Sequence, residues 1–397
     1  MDGIRDGDCV TWPEGSATSN ALIAETLGAV GHLRDLKLWF GILTAPQDFA
    51  REGWRAATYA GFHAARDLLR RGTAHVHPVA YSRLGRFLTG GDWQVSVVVA
   101  SGRREGGRLR LGPHLGAITS CIAAARLVMV QPTPALPEVA GTLIDSDRRM
   151  VELPAATNPL PEVTAGAPDA VELAMAGHVA ALVPDGATIE LGMGRTVDAV
   201  ASGLARKARL GLHTGLMSDA ARTLMSSGAV TNSQKAFEPG RSVATGLLGS
   251  RELYDFAHAN HQIVLHPADM THSAAILHGE PCFVSINSAL EVDLLGQVNS
   301  EAISGHYVGA VGGLPDFHHA AVSHRNGRGV IVLQSQATNG RSRIVKRLSG
   351  PATLPASVAD FVVTEHGIAA LRDRSAEERR SALIAIADPA HRRELAI

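Results

Sequence analysis

The chain has 397 residues, 45% of them hydrophobic and 19% charged, with 37 basic against 38 acidic side chains and a formal net charge of −1. That length suits two domains and a large core. The even charge balance excludes nucleic acid or a membrane surface as the main partner, so an anionic ligand has to be met by local basic groups and backbone N–H groups. Cys9, Cys121 and Cys282 are far apart and form no CxxC pair. They read as free thiols rather than a disulfide framework or a zinc site. The opening stretch MDGIRDGDCV has no basic segment followed by an apolar run, and nowhere is there an apolar stretch of the ~18 residues a membrane span needs. A cytoplasmic protein is expected.

In the first half, Ala21 to Gly31 predicts an amphipathic helix and Leu36 to Leu43 a buried strand. Val95 to Ala100 is a β-branched strand, Ile118 to Arg126 a helix, and Leu127 to Gln131 a further strand. This alternation indicates α/β architecture with a largely parallel sheet. Prolines recur from Pro132 to Pro168, where only Val151 to Leu153 reads as a strand, so the region is taken as the end of one domain and a connection to the next. The expected domains are 1–170 and 171–397.

The second half opens on a helix from Asp169, placed as its N-cap, to Leu182. A strand over Gly186 to Leu191, the turn Gly192-Met193-Gly194 and a helix over Thr196 to Lys207 follow. Later strands are expected at Gln262 to Leu265, Cys282 to Asn287, Leu290 to Leu294, Gly329 to Leu333 and Phe361 to Thr364. Late helices are expected at Gly367 to Arg372 and Ala376 to Ile386.

Three segments can carry chemistry. Gly192-Met193-Gly194 lies between a strand and a helix, where glycines admit a ligand to the backbone and the helix start favours an anion, but taken alone so short a motif reads first as a plain strand-to-helix turn. In Ser288 to Leu294, Glu291 and Asp293 alternate with aliphatic residues, which puts both carboxylates on one strand face. From the pattern alone that face is solvated, although a glutamate held in a pocket can act as a covalent nucleophile. Gly309-Ala310-Val311-Gly312-Gly313 is either a flexible loop or a nest of N–H donors for an oxyanion. Arg195, Lys235, Arg241, Arg341, Arg343 and Lys346 are the basic residues considered for phosphates. The 18 histidines, including His258, His261, His318 and His319, show no HExxH pattern, and no metal site is expected. No GxSxG elbow occurs.

Together these segments resemble the acetyl-CoA hydrolase/transferase family, which includes the 4-hydroxybutyrate CoA-transferases. The resemblance is carried by Val284 to Asn299 (VSINSALEVDLLGQVN), by Gly312-Gly313-Leu314-Pro315-Asp316-Phe317 and by Ser342-Arg343-Ile344-Val345. Val362-Val363-Thr364-Glu365-His366-Gly367 and Ile386-Ala387-Asp388-Pro389 add to it. It covers residues 170–397 closely; before that, only Asp6 to Val10 and Tyr81 to Leu84 match.

The resemblance implies two open α/β CoA-transferase-type domains with the active site in the cleft between them. It implies Glu291 as the nucleophile, with Val311, Gly312, Gly313, Gly192, Met193 and Gly194 binding CoA or an oxyanion. The implied substrates are an acyl-CoA, such as acetyl-CoA or another short-chain thioester, and a small carboxylate. Coenzyme A is then a substrate rather than a resident cofactor, and symmetry base rates favour a homodimer. The sequence departs from the family pattern at Ala310 and Leu314, where the family has Gly and Gln, at Gly215 in place of an acid, and at Val197 in place of Pro. Alanine fits at 310 only with a negative φ. A CoA-transferase is the first reading; an acyl-CoA hydrolase using the same carboxylate and a non-catalytic CoA-binding paralogue are the alternatives.

Overall fold

The computed structural model describes residues 1–145, 150–164 and 166–397. It contains two compact units. One comprises 1–163, 243–271 and 306–312; the other comprises 164–242, 272–305 and 313–397. The division expected at residue 170 follows chain order, whereas packing does not. Backbone bonds from Leu115 N–H to the Thr245 carbonyl (2.8 Å) and from Leu247 N–H to the Pro113 carbonyl (2.7 Å) hold 243–271 in the first unit. Gly61 N–H donates to the Gly309 carbonyl at 2.7 Å and fixes 306–312 there as well.

The first unit is built on a mainly parallel sheet. Its strands are β1 (Cys9–Thr11), β2 (Lys37–Trp39), β3 (Arg55–Thr58), β4 (Ala74–Val76), β5 (Val97–Glu105), β6 (Arg108–Leu111), β7 (Leu127–Pro132), β8 (Leu143–Asp145) and β9 (Met150–Glu152). Among the described residues the order is β4-β3-β2-β1-β5-β6-β8, with β7 beside β5 and β9 beside β7. Val97, Val98 and Val99 are all fully buried, which is why β5 reads as a continuous apolar run rather than an alternation. Helix α1 (Asn20–Ala29) starts where Ser19 Oγ accepts from Leu22 N–H at 3.1 Å, and it buries Leu22, Ile23 and Leu27 against Val10, Leu38 and Val97.

The second unit repeats the plan. Helix α2 (Ala170–Leu182) begins with the N-cap expected at Asp169, which the structure completes as a capping box: Asp169 Oδ1 accepts from Glu172 N–H and Glu172 Oε2 from Asp169 N–H, both at 2.9 Å. Its sheet comprises β10 (Thr188–Leu191), β11 (Gly211–Leu212), β12 (Phe283–Ser288), β15 (Arg328–Val332), β17 (Phe361–Thr364) and β18 (Gly367–Ala370), in the order β11-β10-β12-β15-β17-β18. Helices α3 (Arg195–Leu204), α4 (Leu314–Ser323) and α5 (Ala376–Ile386) belong to the same unit. A small sheet stands apart, with β13 (Glu291–Asp293) between β14 (Val298–Asn299) and β16 (Ile344–Val345).

The segment expected as a helix from Gly367 to Arg372 is strand β18. It returns antiparallel on β17, with Val362 opposite Ala369 and Thr364 opposite Gly367. The turn demands φ +141° at Gly367, which glycine supplies, and the short apolar run then pairs along the sheet edge. Among the described residues, no helix is long and apolar enough to cross a membrane.

Asp360, 2% exposed, leads into β17 and receives Arg372 Nε at 2.9 Å, Arg372 Nη2 at 2.6 Å and Gly329 N–H at 2.9 Å. Replacing Arg372 by methionine leaves a buried charge with one backbone donor. Denaturant titration is expected to show a loss of about 3 kcal/mol; a change below about 0.5 kcal/mol would contradict this account of the pair.

Candidate active site

In the second unit, β10 and β12 are parallel neighbours, yet the chain continues from β10 to β11 on one side and reaches β12 on the other. This is a topological switch point, and the carboxyl ends of its strands are where open α/β sheets bind ligands. Two of the sequence candidates meet there. Gly192-Met193-Gly194 leaves the end of β10, and Ser288 to Glu291 leaves the end of β12. Gly192 N–H donates to the Ile286 carbonyl at 2.8 Å, and a Cβ at Gly192 would lie 2.2 Å from Asn287 Oδ1, so only glycine fits. Gly194 takes φ +120° and opens α3.

Glu291 is 6% exposed, not solvated as the alternating pattern suggested. Its Oε1 accepts from Asn299 Nδ2 at 2.8 Å, Ser349 N–H at 2.6 Å and Ser349 Oγ at 3.0 Å. Its Oε2 meets Ser349 Oγ alone, at 3.1 Å. Asn299 faces Glu291 because the two are opposite each other in the antiparallel β13–β14 pair. Its amide cannot flip. Oδ1 accepts Glu301 N–H at 3.0 Å and Ala302 N–H at 3.2 Å, while Nδ2 also donates to the Ala302 carbonyl at 2.6 Å. Ser349, which supplies both an N–H and an Oγ to the carboxylate, is itself exposed. The next residue has to be glycine, since a Cβ at Gly350 would lie 2.3 Å from the Ala302 carbonyl and 2.7 Å from Asn299 Nδ2.

Asp293, also buried, has a different task. It accepts Leu295 N–H at 3.0 Å, Gln297 N–H at 2.9 Å and Gln297 Nε2 at 2.8 Å, which shapes the turn between β13 and β14. The carboxylate pair in the sequence is therefore one reactive candidate and one turn anchor.

The glycine loop is divided between the units: Val311 and Gly312 belong to the first, Gly313 to the second. Tyr81 N–H holds the Gly312 carbonyl at 3.0 Å, and Gly312 takes φ +56°, a glycine conformation. Ala310 is not among the positive-φ residues, so alanine is accommodated. Gly313, with φ −88°, is required for space, because a Cβ there would lie 2.5 Å from His272 Nε2. The same imidazole lies 3.2 Å from where a Gly215 Cβ would be. His272 thus occupies the space beside the position where the family pattern carries an acid.

The basic candidates divide. Arg195 pairs with Asp169 and Glu172 at 3.3 and 3.0 Å, and Arg241 with Glu238 at 3.2 Å. Lys235 is buried, donates to the Leu212 and Arg241 carbonyls at 3.0 and 2.7 Å, and is pulled down to about 8 by that burial. Arg341 and Lys346 are exposed. Arg343 is half-buried beside the site, with Nη1 3.5 Å from the Ala289 carbonyl and a buried Nε without a partner.

Two buried clusters escaped the sequence reading. In the first unit Glu14 accepts from Tyr59 and Tyr81 hydroxyls, each at 2.6 Å, and His114 Nε2 lies 3.1 Å from the Tyr81 oxygen. Burial, then the Glu14 charge, holds both phenols well above their usual range. These four side chains are scattered between residues 14 and 114 with no local pattern to mark them. In the second unit Glu190, on β10, accepts Ser285 Oγ and Asn287 Nδ2, each at 2.7 Å. Its period-two partners Ser285 and Asn287 on one face of β12 were the available signal.

The family model for the acetyl-CoA hydrolase/transferase C-terminal domain matches residues 249–397. The succinyl-CoA:cyclohexane-1-carboxylate CoA transferase of Geobacter metallireducens is 33% identical, over 99% of this chain and 91% of that protein. The crystal structure of RipA from Yersinia pestis aligns with TM-score 0.89 at 26% identity, covering 99% of this chain and 93% of that one. A 4-hydroxybutyrate CoA-transferase structure from Porphyromonas gingivalis aligns with TM-score 0.77 at 25% identity, over 100% of this chain and 94% of the other.

Burial pushes the Glu190 carboxyl from its ordinary 4.5 up to about 8, against the opposing pull of Ser285 and Asn287. The folded state therefore binds a proton that the unfolded chain releases. The stability this group contributes is complete below pH 4.5 and is lost as pH rises through about 8. Glu190→Gln keeps an acceptor for both donors but has no charge to bury. Urea midpoints at pH 5 and pH 8 are expected to show the variant gaining on the native protein by roughly 1 kcal/mol per pH unit; a gap independent of pH would contradict the assignment.

With a buried, multiply bonded glutamate and a glycine turn at one switch point, and with relatives matched over the whole chain, the protein belongs to the acetyl-CoA hydrolase/transferase family and to the CoA-transferases within it.

Proposed function

We propose that the protein transfers coenzyme A from a short-chain acyl-CoA to a small carboxylate, with Glu291 as the covalent nucleophile. The observation that carries this reading is the Glu291 carboxylate itself. It is buried at the start of β13, three residues past the end of β12, fixed through Oε1, and bears one oxygen with lone pairs to spare.

The carboxylate attacks the thioester carbonyl and expels CoA thiolate, giving a mixed anhydride. The thiolate then attacks the glutamyl carbonyl and releases the first acid, leaving a glutamyl-CoA thioester. An incoming carboxylate reverses both steps and departs as the new acyl-CoA. Splitting the exchange in this way replaces one difficult displacement by easier ones. The thioester bond energy is retained throughout, so neither ATP nor a resident cofactor is required.

Backbone N–H groups of Val311, Gly312 and Gly313 are assigned to the oxyanion formed at the acyl carbonyl, and Gly192, Met193 and Gly194 to CoA. The positive φ at Gly312 and Gly194, with no atom closer than 3.9 Å to where a Cβ would stand at either, supports backbone approach by a ligand. Acetyl-CoA is the default donor. The same reading has the enzyme acting in the cytoplasm as a homodimer, as symmetry base rates favour.

The test is intact mass after incubation with acetyl-CoA and no acceptor. Native protein is expected to gain CoA minus water, an adduct removed by borohydride. Glu291→Gln is expected to show no adduct and to lose turnover by at least about 10³-fold. An adduct that persists in the variant would place the nucleophile elsewhere, and free CoA accumulating without any adduct would point to hydrolysis.

A further inference from the structure

The two oxygens of Glu291 are not equivalent. Three hydrogen bonds of 2.6 to 3.0 Å converge on Oε1, from Asn299 Nδ2, Ser349 N–H and Ser349 Oγ. Oε2 has a single contact at 3.1 Å, from a hydroxyl that has one hydrogen to share between both oxygens. The donors on Oε1 are themselves fixed: the Asn299 amide by bonds to the 301 and 302 backbone, and the Ser349 peptide by the steric fit of Gly350.

From this asymmetry, and resting on the reading of Glu291 as nucleophile, we infer that Asn299 and Ser349 form a second oxyanion hole, dedicated to the glutamyl carbonyl, and that Oε2 alone enters the chemistry. The attacking atom is Oε2, since the lone pairs of Oε1 are engaged. In the anhydride Oε2 is the bridging oxygen and Oε1 the glutamyl carbonyl oxygen. When CoA thiolate attacks Cδ, the electron pair of the Cδ–Oε1 double bond moves onto Oε1. The negative charge then appears where the three donors already point. Collapse re-forms that double bond and breaks Cδ–Oε2, and the departing acid carries Oε2 away with the electron pair. No proton moves. The acceptor carboxylate attacks Cδ through the same tetrahedral state and expels the thiolate, which then attacks the new acyl carbonyl. The bridging oxygen stays on Glu291 as a fresh Oε2.

One oxygen of Glu291 is thus replaced in every turnover and the other is kept indefinitely. Exchange of the two positions requires rotation of the carboxylate about Cγ–Cδ, which would break all three bonds to Oε1. Donors arranged around a ground-state carboxylate serve catalysis here because they lose nothing as charge returns to the same atom. Asn299 and Ser349 touch the reacting group and are catalytic residues on this account.

The test uses native enzyme, an acyl-CoA and a large excess of its own acid doubly labelled with ¹⁸O, acetate first and then succinate or butyrate until a pair that exchanges is found. After many turnovers the peptide containing Glu291 is weighed. Incorporation is expected to stop at one ¹⁸O. Two labels would overturn the inference while leaving covalent catalysis by Glu291 intact. No label during demonstrated exchange would overturn the nucleophile assignment as well. In a second arm, Asn299→Ala is expected to slow formation of the CoA adduct by about 10²-fold, with the KM for acyl-CoA held within about threefold. Adduct formation at the native rate would remove Asn299 from the hole.

Discussion

The site depends on one constraint: a carboxylate held out of water by one of its oxygens. A buried glutamate needs partners for its charge, and Asn299 and Ser349 supply them at Oε1. The surrounding architecture makes that grip possible. Strand β12 carries the chain to the switch point, the β13–β14 pairing sets Asn299 opposite Glu291, and Asp293 shapes the turn between them. The parallel β13–β16 pairing, Val292 with Ile344, brings in the chain that leads to Ser349 from outside the hairpin.

Glycine identity follows two physical demands. Gly312 and Gly194 need a left-handed or extended positive φ, which side chains resist. Gly192, Gly313 and Gly350 need the space of a missing Cβ against Asn287, His272 and Asn299. Gly215 lies beside the same imidazole as Gly313, so the glycine at 215 and the histidine at 272 form one packing arrangement. Ala310 requires nothing unusual of its backbone, and its departure from the family loop leaves the positive φ at Gly312 in place.

What was legible in the sequence was what is local. The Asp169 cap, the β-branched strands and the turn at 192–194 are specified by neighbouring residues, and they stand where expected. The stretch around Glu291 was legible as a family resemblance but not as physics. Alternation alone suggested a solvated face, because the residue that bonds to the carboxylate, Ser349, lies 58 positions away. The Glu14–Tyr59–Tyr81–His114 cluster was hidden for the same reason. Gly367 to Ala370 looked helical because a short apolar run does not distinguish a helix from a hairpin strand; pairing with β17 decides it. Packing of 243–271 and 306–312 with the first unit is likewise a product of distant backbone bonds.

In the proposed mechanism the acyl donor's acid leaves before the acceptor binds, with CoA stored on the enzyme in between. Steady-state rates measured against acyl-CoA at several fixed carboxylate concentrations test it most directly. The account predicts parallel double-reciprocal lines, with exchange of labelled acid into acyl-CoA in the absence of the second acid. Intersecting lines, with no such exchange, would show that both substrates must be bound at once and would contradict it.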